Sequence, residues 1–242
     1  MELRDILNTQ EGYQEIIDKK HQYINEDLIR IKEREEDELN GIQKYPKPNN
    51  KIILAIKKGI LGQYYSLFEA HYSIGKSLEE IRKEYLNILL HIHKWNIDLG
   101  YVKMVEMLSI AIMLEIEDTE FDKLVTLVER DKVKDYVIDL LIRYRKPTWQ
   151  QTQTFLWNRP YKITEDIVEI AQTDKEKALE HLIKYLKAWY KAIEVKTHES
   201  KFNIHTGYWS WEAGAIAKIL DLDDGSLKDQ QYYPYDMVHF KE

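Results

Sequence analysis

Two glutamates, Glu106 and Glu212, are the residues of this sequence best placed to do chemistry, because each lies within an otherwise apolar stretch. A carboxylate among apolar side chains costs free energy unless it is paired or hydrogen-bonded. Such a group is therefore either a structural acceptor or a catalytic or metal-binding residue. The sequence favours the structural role, in which each glutamate bonds to a Tyr, Trp, Lys or Arg of the core. A helical hydrolase that uses both carboxylates is the alternative.

Other patterns that would indicate catalysis or cofactor binding are missing from the sequence. His91 and His93 are two residues apart, so on a helix they point to different faces and cannot together hold one metal ion. The absence of Cys excludes thiolate metal sites and a Cys nucleophile. The His-Glu-x-x-His, EF-hand, P-loop and Gly-x-Ser-x-Gly patterns are also absent. We therefore expect no catalytic residue, no metal and no cofactor.

The composition predicts a soluble, folded and helical protein. The 242 residues are 44% hydrophobic and include only five Pro and nine Gly, too few breakers for a strand-rich fold. No apolar segment reaches the roughly 20 residues that cross a bilayer, and the N-terminus shows no signal-peptide pattern. We therefore expect a cytoplasmic protein without membrane contact. The net charge of −7 disfavours nucleic-acid binding and is compatible with a basic protein partner.

Apolar residues at helical spacing predict a series of helices along the chain. The first is expected over residues 3–40 and ends before Pro46 and Pro48, which disfavour helical backbone in the residues that precede them. Ser77, with Glu80 three residues later, forms a capping-box pattern that predicts the start of a third helix. The later predicted helices begin near Gly100, Asp118, Val133, Thr164, Asp174 and Tyr208. Residues 146–162 and 198–206 are predicted to be irregular.

A weak internal repeat links the two halves of the chain. Four residues recur with an offset of 106 positions, and each copy leads into an acidic turn. The recurring pairs are Glu106 and Glu212, Ala111 and Ala217, Leu114 and Leu220, and Asp118 and Asp224. Such self-similarity indicates a duplicated helical unit. We therefore predict an all-α fold, a multi-helix array of two related helical halves, with an N-terminal domain over 1–130 and a C-terminal domain over 131–242.

Several segments of the C-terminal half resemble the signature of the PoNi immunity proteins. They are Tyr185–Tyr190 (YLKAWY), Gly207–Ile219 (GYWSWEAGAIAKI), Asp223–Asp229 (DDGSLKD) and Tyr232–Phe240 (YYPYDMVHF). The resemblance is specific from about Asp131 onward, and the N-terminal half resembles the family's other domain in layout. We interpret the signature as structural, because aromatic clusters commonly anchor chain ends. Its residues are Glu106, Tyr208, Trp209, Trp211, Glu212, Tyr232, Tyr233, Pro234, Tyr235 and Asp236.

The resemblance implies a bacterial immunity protein rather than an enzyme. Such proteins are encoded beside secreted polymorphic toxins that carry a DNase domain, and they bind and block that domain in the cytoplasm. We expect stoichiometric occlusion, in which an acidic face of the chain covers the nuclease cleft. A scaffold or adaptor without a toxin partner is a further alternative. The candidate contact residues lie in the two acidic turns and are Glu115, Glu117, Asp118, Asp221, Asp223 and Asp224.

Overall fold

The fold is described from a computed structural model over residues 2–92, 97–193 and 195–241, with the backbone alone for 97–99. These residues form ten α-helices and no strand, which confirms the all-α class. The helices are α1 (Gln10–Leu39), α2 (Asn49–Ser73), α3 (Leu78–His91), α4 (Ile97–Met113), α5 (Asp118–Arg130), α6 (Tyr136–Arg145), α7 (Ile163–Ala171), α8 (Lys175–Ile193), α9 (Trp211–Leu220) and α10 (Tyr235–Val238). None of the described helices is both long and apolar enough to cross a lipid bilayer.

The chain divides into two compact units, each with its own core. Unit 1 comprises Met1–Lys94 and Thr197–Gly207, and unit 2 comprises Trp95–Lys196 and Tyr208–Glu242. A stretch from the C-terminal part of the chain therefore belongs to the unit built mainly by the N-terminal part. The boundary predicted after residue 130 falls within unit 2. The division into 1–130 and 131–242 stays a prediction about the two halves of the sequence.

Unit 1 is centred on a hairpin of α1 and α2. Isoleucines of α1, including Ile16 and Ile24, pack against Ile60 and other apolar residues of α2 in one buried cluster. Arg4, ahead of α1, donates to the carbonyl of Tyr72 near the end of α2 at 3.0 Å, so the two helices run antiparallel. The capping box that opens α3 is present as predicted, with both of its hydrogen bonds.

In unit 2, α4 and α9 pack against each other, and they end in the same motif. Past the two helices, the N–H groups of Ile116 and Leu222 donate to the carbonyls of Ala111 and Ala217 at 3.0 and 3.1 Å. The residue before each donor is left-handed, with φ of 48° and 50°. These are Schellman motifs, which satisfy carbonyls that a helix end leaves open. All of these positions differ by 106 residues, so the structure reproduces the repeat seen in the sequence.

Several helix starts and caps differ from the sequence prediction. The first helix begins at Gln10 rather than at residue 3, because the Thr9 side chain accepts from the Gly12 N–H and caps it. Glu117, rather than a side-chain cap at Asp118 or Thr119, precedes α5 and makes no capping bond. The last long helix begins at Trp211 rather than at Tyr208.

The two residues His93 and Trp95 lie outside the described part of the chain.

Gly214 lies where three elements of unit 2 meet. A Cβ at this position would lie 2.6 Å from Met113 Sδ at the end of α4, and 2.7 Å and 3.1 Å from side-chain carbons of Pro234 and Val238. All three distances are below ordinary van der Waals contact. The glycine thus permits α9 to approach both α4 and the C-terminal tail.

Replacing this glycine is expected to destabilise the fold. For Gly214→Ala we expect the free energy of unfolding to fall by about 1–3 kcal/mol, because overpacking outweighs the better helix propensity of Ala. The matched control is Gly62→Ala in α2, where a Cβ would meet nothing within 4 Å. The free energy of unfolding of this variant is expected to rise by up to about 1 kcal/mol. Urea unfolding followed by circular dichroism measures both. Equal effects of the two substitutions would contradict the packing argument.

Candidate partner-binding surface

Glu212 is held in the core of unit 2 as a hydrogen-bond acceptor. It is 2% exposed, and its Oε1 accepts from the Tyr185 hydroxyl at 2.5 Å and from the Ser210 hydroxyl at 2.9 Å. Burial raises the pKa of Glu212 to about 7, although the bonds from Tyr185 and Ser210 act in the opposite direction, and the charge of Glu106 raises it further. The hydrogen bond to a core tyrosine is one of the contacts that the sequence analysis expected for this glutamate, and its structural role stays a prediction.

Glu106, the counterpart of Glu212 in the repeat, has a different environment. Its side chain is 14% exposed, and its Oε2 lies 2.9 Å from the Lys103 ammonium one helical turn earlier. Across residues 2–92, 97–193 and 195–241, no group of three or more His, Cys, Asp or Glu is arranged to hold a metal ion. The two glutamates are thus engaged by neighbouring side chains, Glu212 by hydroxyl groups and Glu106 by an ammonium group.

The aromatic signature residues mostly lie inside unit 2. Tyr232 stacks on Tyr190 of α8 with ring centroids 4.8 Å apart, and Trp209 lies 5.9 Å from Trp211. The first contact joins the tail to α8, and the second packs the residues at the start of α9 against each other. Tyr208, Trp209, Trp211, Tyr233 and Pro234 are buried, Tyr232 and Tyr235 are half-buried, and Asp236 is exposed.

The acidic turns after α4 and α9 lie at the same edge of unit 2. The Lys218 ammonium, near the end of α9, is 3.2 Å from Glu115 Oε1, just past the end of α4. Lys218 also donates to the carbonyl of Val238 at 2.8 Å, so the tail lies here too. We call this region the acidic edge and define it by its five carboxylates that are not buried. They are Glu115, Glu117, Asp118, Asp221 and Asp223.

Basic side chains partly neutralise this acidic edge. Asp118 pairs with Arg145 at 2.5 Å and Asp221 with Lys175 at 2.7 Å. Glu115 is bound by Lys218 and also by Lys241 at 3.1 Å; although burial opposes its ionisation, the two lysines together lower its pKa. The bond from Lys175 likewise lowers the pKa of Asp221. Glu115 and Asp221 are therefore ionised, but nearby ammonium groups already neutralise part of their charge.

Asp224 is not part of the exposed edge, and the expectation that it is exposed was wrong. It is 3% exposed, and its carboxylate accepts from the Tyr233 hydroxyl at 2.5 Å and lies 2.8 Å from His239 Nε2. The C-terminal tail covers it, whereas Asp118, its counterpart in the repeat, stays at the surface. Glu117 and Asp223 are both exposed, and Asp223 makes no ion pair within the described residues.

Two buried aspartates near α6 were not singled out from the sequence, although they organise the irregular segment 146–162. Asp139 Oδ1 accepts from the Trp149 indole N–H at 2.8 Å, and Oδ2 accepts from the Thr152 N–H and hydroxyl at 2.9 and 2.7 Å. Asp135 caps α6 and also accepts from the Leu156 N–H at 2.9 Å. An aspartate directly before an apolar helical stripe is the signal that could have identified Asp135.

Family models match almost the whole chain. The model described as PoNe immunity protein (PoNi), N-terminal, matches residues 4–126, and that of PoNe immunity proteins (PoNi), C-terminal, matches residues 133–237. Among solved structures, the chain is similar to the crystal structure of protein PA2201 from Pseudomonas aeruginosa, with 18% identity and a TM-score of 0.60 over 78% of this chain and 74% of that chain. At this identity the likeness concerns the fold alone. No match was found among curated proteins.

Proposed function

Because the chain belongs to the PoNi family of PoNe immunity proteins, we propose that it binds and neutralises a cognate PoNe-type DNase toxin by stoichiometric occlusion. The observation that carries the proposal is the pair of family matches, one in each half of the chain. The charge distribution supports it, since nearly all of the net charge of −7 lies in unit 2. A DNase must attract a polyanion, so an acidic inhibitor complements its binding surface.

The acidic edge of unit 2 is our candidate for the surface that covers the nuclease cleft. It gathers carboxylates from two helix ends, and Glu117 and Asp223 are exposed there. Three further members, Glu115, Asp118 and Asp221, keep a basic neighbour and contribute mainly shape and hydrogen-bond acceptors. A tight interface of this kind would bury roughly 1,200–2,000 Å² in total, so neighbouring uncharged surface also takes part.

Growth of cells that express the toxin tests the function. Co-expression of this chain with the DNase domain encoded beside its gene should restore growth, and an unrelated acidic helical protein should not. In vitro, the purified chain should abolish DNase activity at one molecule per toxin. A lack of both effects would contradict immunity and favour a scaffold or adaptor. Protection at far less than one molecule per toxin would instead indicate an enzyme.

Charge reversal at the acidic edge should weaken toxin binding. For Glu117→Lys combined with Asp223→Lys we expect at least about a tenfold increase in Kd at low salt, since a rim of wrong sign slows association and repels the partner. The remaining affinity should depend less on salt. Isothermal titration calorimetry at several salt concentrations measures both effects. The control is Glu36→Lys with Glu38→Lys on α1, two exposed sites with the same change in net charge. If the control variant lost as much toxin affinity, the acidic edge would not be part of the interface.

A further inference from the structure

Residues 197–207, part of the connection between α8 and α9, complete unit 1. Apart from one short 3-10 turn, Thr197–Glu199, this segment has no regular secondary structure. Connections of more than about 12 residues without their own helices or strands are uncommon in compact domains and are often functional. Residues 197–207 are therefore a candidate for a functional surface of unit 1.

Asn203 fastens the middle of the segment to the start of the chain. Its side-chain N–H group donates to the Gly12 carbonyl at 2.8 Å and to Glu15 Oε2 at 2.8 Å. Its carbonyl oxygen accepts from the Asn8 amide at 3.0 Å. The whole side chain of Asn203 is thus engaged, and it fixes the backbone of its two neighbours.

His205 fastens the segment a second time. It is 2% exposed, with Nε2 3.1 Å from Asp5 Oδ2 and Nδ1 2.8 Å from the Thr197 hydroxyl. The next residue, Thr206, accepts from the Ser73 hydroxyl at 2.7 Å through its carbonyl oxygen. The order carboxylate, imidazole and hydroxyl resembles a catalytic relay, but both nitrogens are engaged and the ring is buried. The arrangement therefore holds the segment in place.

Large apolar side chains project into solvent beside these fastening residues. Phe202 and Ile204 flank Asn203 and are 64% and 51% exposed, and Ile6, next to Asp5, is 81% exposed. The hydrogen bonds on either side place all three on the same part of unit 1. A single exposed apolar residue is ordinary, but several on a rigid backbone are typical of a binding surface. We call Ile6, Phe202 and Ile204 the clamped patch.

Acidic residues are close neighbours of the clamped patch along the chain, and Glu15 is bonded to Asn203, which lies between Phe202 and Ile204. Glu11 and Glu199 are exposed, and Glu15 is held by Lys19 at 2.5 Å and by Asn203. The bonds from Lys19 and Asn203 lower the pKa of Glu15, so it is ionised at neutral pH. The nearby base Lys201 lies over the Phe202 ring at 5.0 Å. With Lys19 and Lys201 counted against Glu11, Glu15 and Glu199, these neighbours keep a small acidic excess, which suits a basic protein.

We propose that the clamped patch is an apolar anchor of the toxin interface, a step that rests on the proposed function. Interfaces obtain most of their affinity from a few central apolar or aromatic residues within a polar rim. Here the side chains are held in place before binding, which lowers the entropic cost of ordering them. The occupant is the basic DNase domain, because the acidic excess near the clamped patch complements its charge.

A binding measurement with a catalytically inactive toxin domain tests the assignment. Phe202→Ala combined with Ile204→Ala should raise Kd at least about tenfold, which corresponds to about 1.4 kcal/mol, and should leave the thermal unfolding midpoint of the free protein unchanged. The control is Leu39→Ala with Leu90→Ala, two helix residues of unit 1 that are 86% and 62% exposed. The control pair should bind as the wild type does.

The possible outcomes separate the two proposals. If the wild type binds the toxin and the patch variant binds equally well, the assignment of the patch is wrong and the proposed function stands. If the wild type does not bind the toxin, the proposed function is wrong. The assignment of the toxin as the partner of the clamped patch is then wrong as well. If sedimentation shows that the patch variant loses self-association while toxin affinity is unchanged, the patch serves a second copy of the chain and the assignment is overturned.

Discussion

Asp135→Ala should lower the free energy of unfolding by about 3–5 kcal/mol. Asp135 is fully buried, and its carboxylate accepts four hydrogen bonds. Its donors are the N–H groups of Val137 and Ile138 at the start of α6, the Leu156 N–H of the irregular segment and the Tyr101 hydroxyl of α4. Removal of the carboxylate would leave buried donors unpaired at about 1–3 kcal/mol each, partly relieved by relaxation or water. Urea unfolding followed by far-UV circular dichroism measures the loss.

Two further variants test the cause of that loss. Asp174 caps α8 by accepting from the Lys177 N–H at 2.9 Å, but it is exposed; Asp174→Ala should therefore cost only about 1 kcal/mol. Asp135→Asn keeps one carbonyl oxygen and the shape of the side chain, so it should fall between the two alanine variants. If Asp135→Ala were no more destabilising than Asp174→Ala, the network would not support the fold as described.

The second large effect concerns pH. Burial raises the pKa of Glu212 from 4.5 to about 7, so between these values the folded state holds a proton that the unfolded state has released. The free energy of unfolding should therefore be highest below pH 4.5, as far as Glu212 is concerned, and should fall as pH rises to about 7. The total change is about 3 kcal/mol, since one pKa unit corresponds to about 1.36 kcal/mol.

Glu212→Gln isolates this contribution. Gln cannot ionise, but its carbonyl oxygen can still accept from Tyr185 and Ser210, so the decline of stability between pH 4.5 and 7 should become smaller. Urea unfolding at pH steps across this window gives the slope. The matched control is Glu180→Gln on the exposed side of α8, which should keep the wild-type slope. If Glu212→Gln kept the wild-type slope of stability against pH, ionisation of Glu212 would not be the cause of the decline.

Local patterns in the sequence predicted much of the fold. The capping box at Ser77 and the stripes of α2, α6 and α8 were sufficient, because periodic burial and end caps are encoded by nearby residues. The repeat was also visible from residue types alone. The family resemblance, seen in the C-terminal half, was confirmed across both halves.

Features that depend on distant contacts or competing local bonds were missed. The first helix was expected to begin at residue 3, yet Asp5 accepts from the Leu7 N–H at 2.7 Å, and such a local bond competes with helix formation. Asp224 was expected to be exposed like its counterpart, but the tail covers it from 15 residues further along the chain at His239. No local pattern in the sequence predicts that residues 197–207 join unit 1, because their hydrogen-bond partners, which include Asp5 and Asn8, lie near the start of the chain.

The composition of unit 1 from two distant stretches has a consequence for biosynthesis. A ribosome adds roughly 5–20 residues per second, so the roughly 100 residues between these stretches take about 5–20 s to make. During that interval Asp5, Asn8 and the Gly12 carbonyl have emerged, but the chain that bonds to them has not. The nascent N-terminal region must wait in an incomplete form, and its maturation is tied to translation of the C-terminal region.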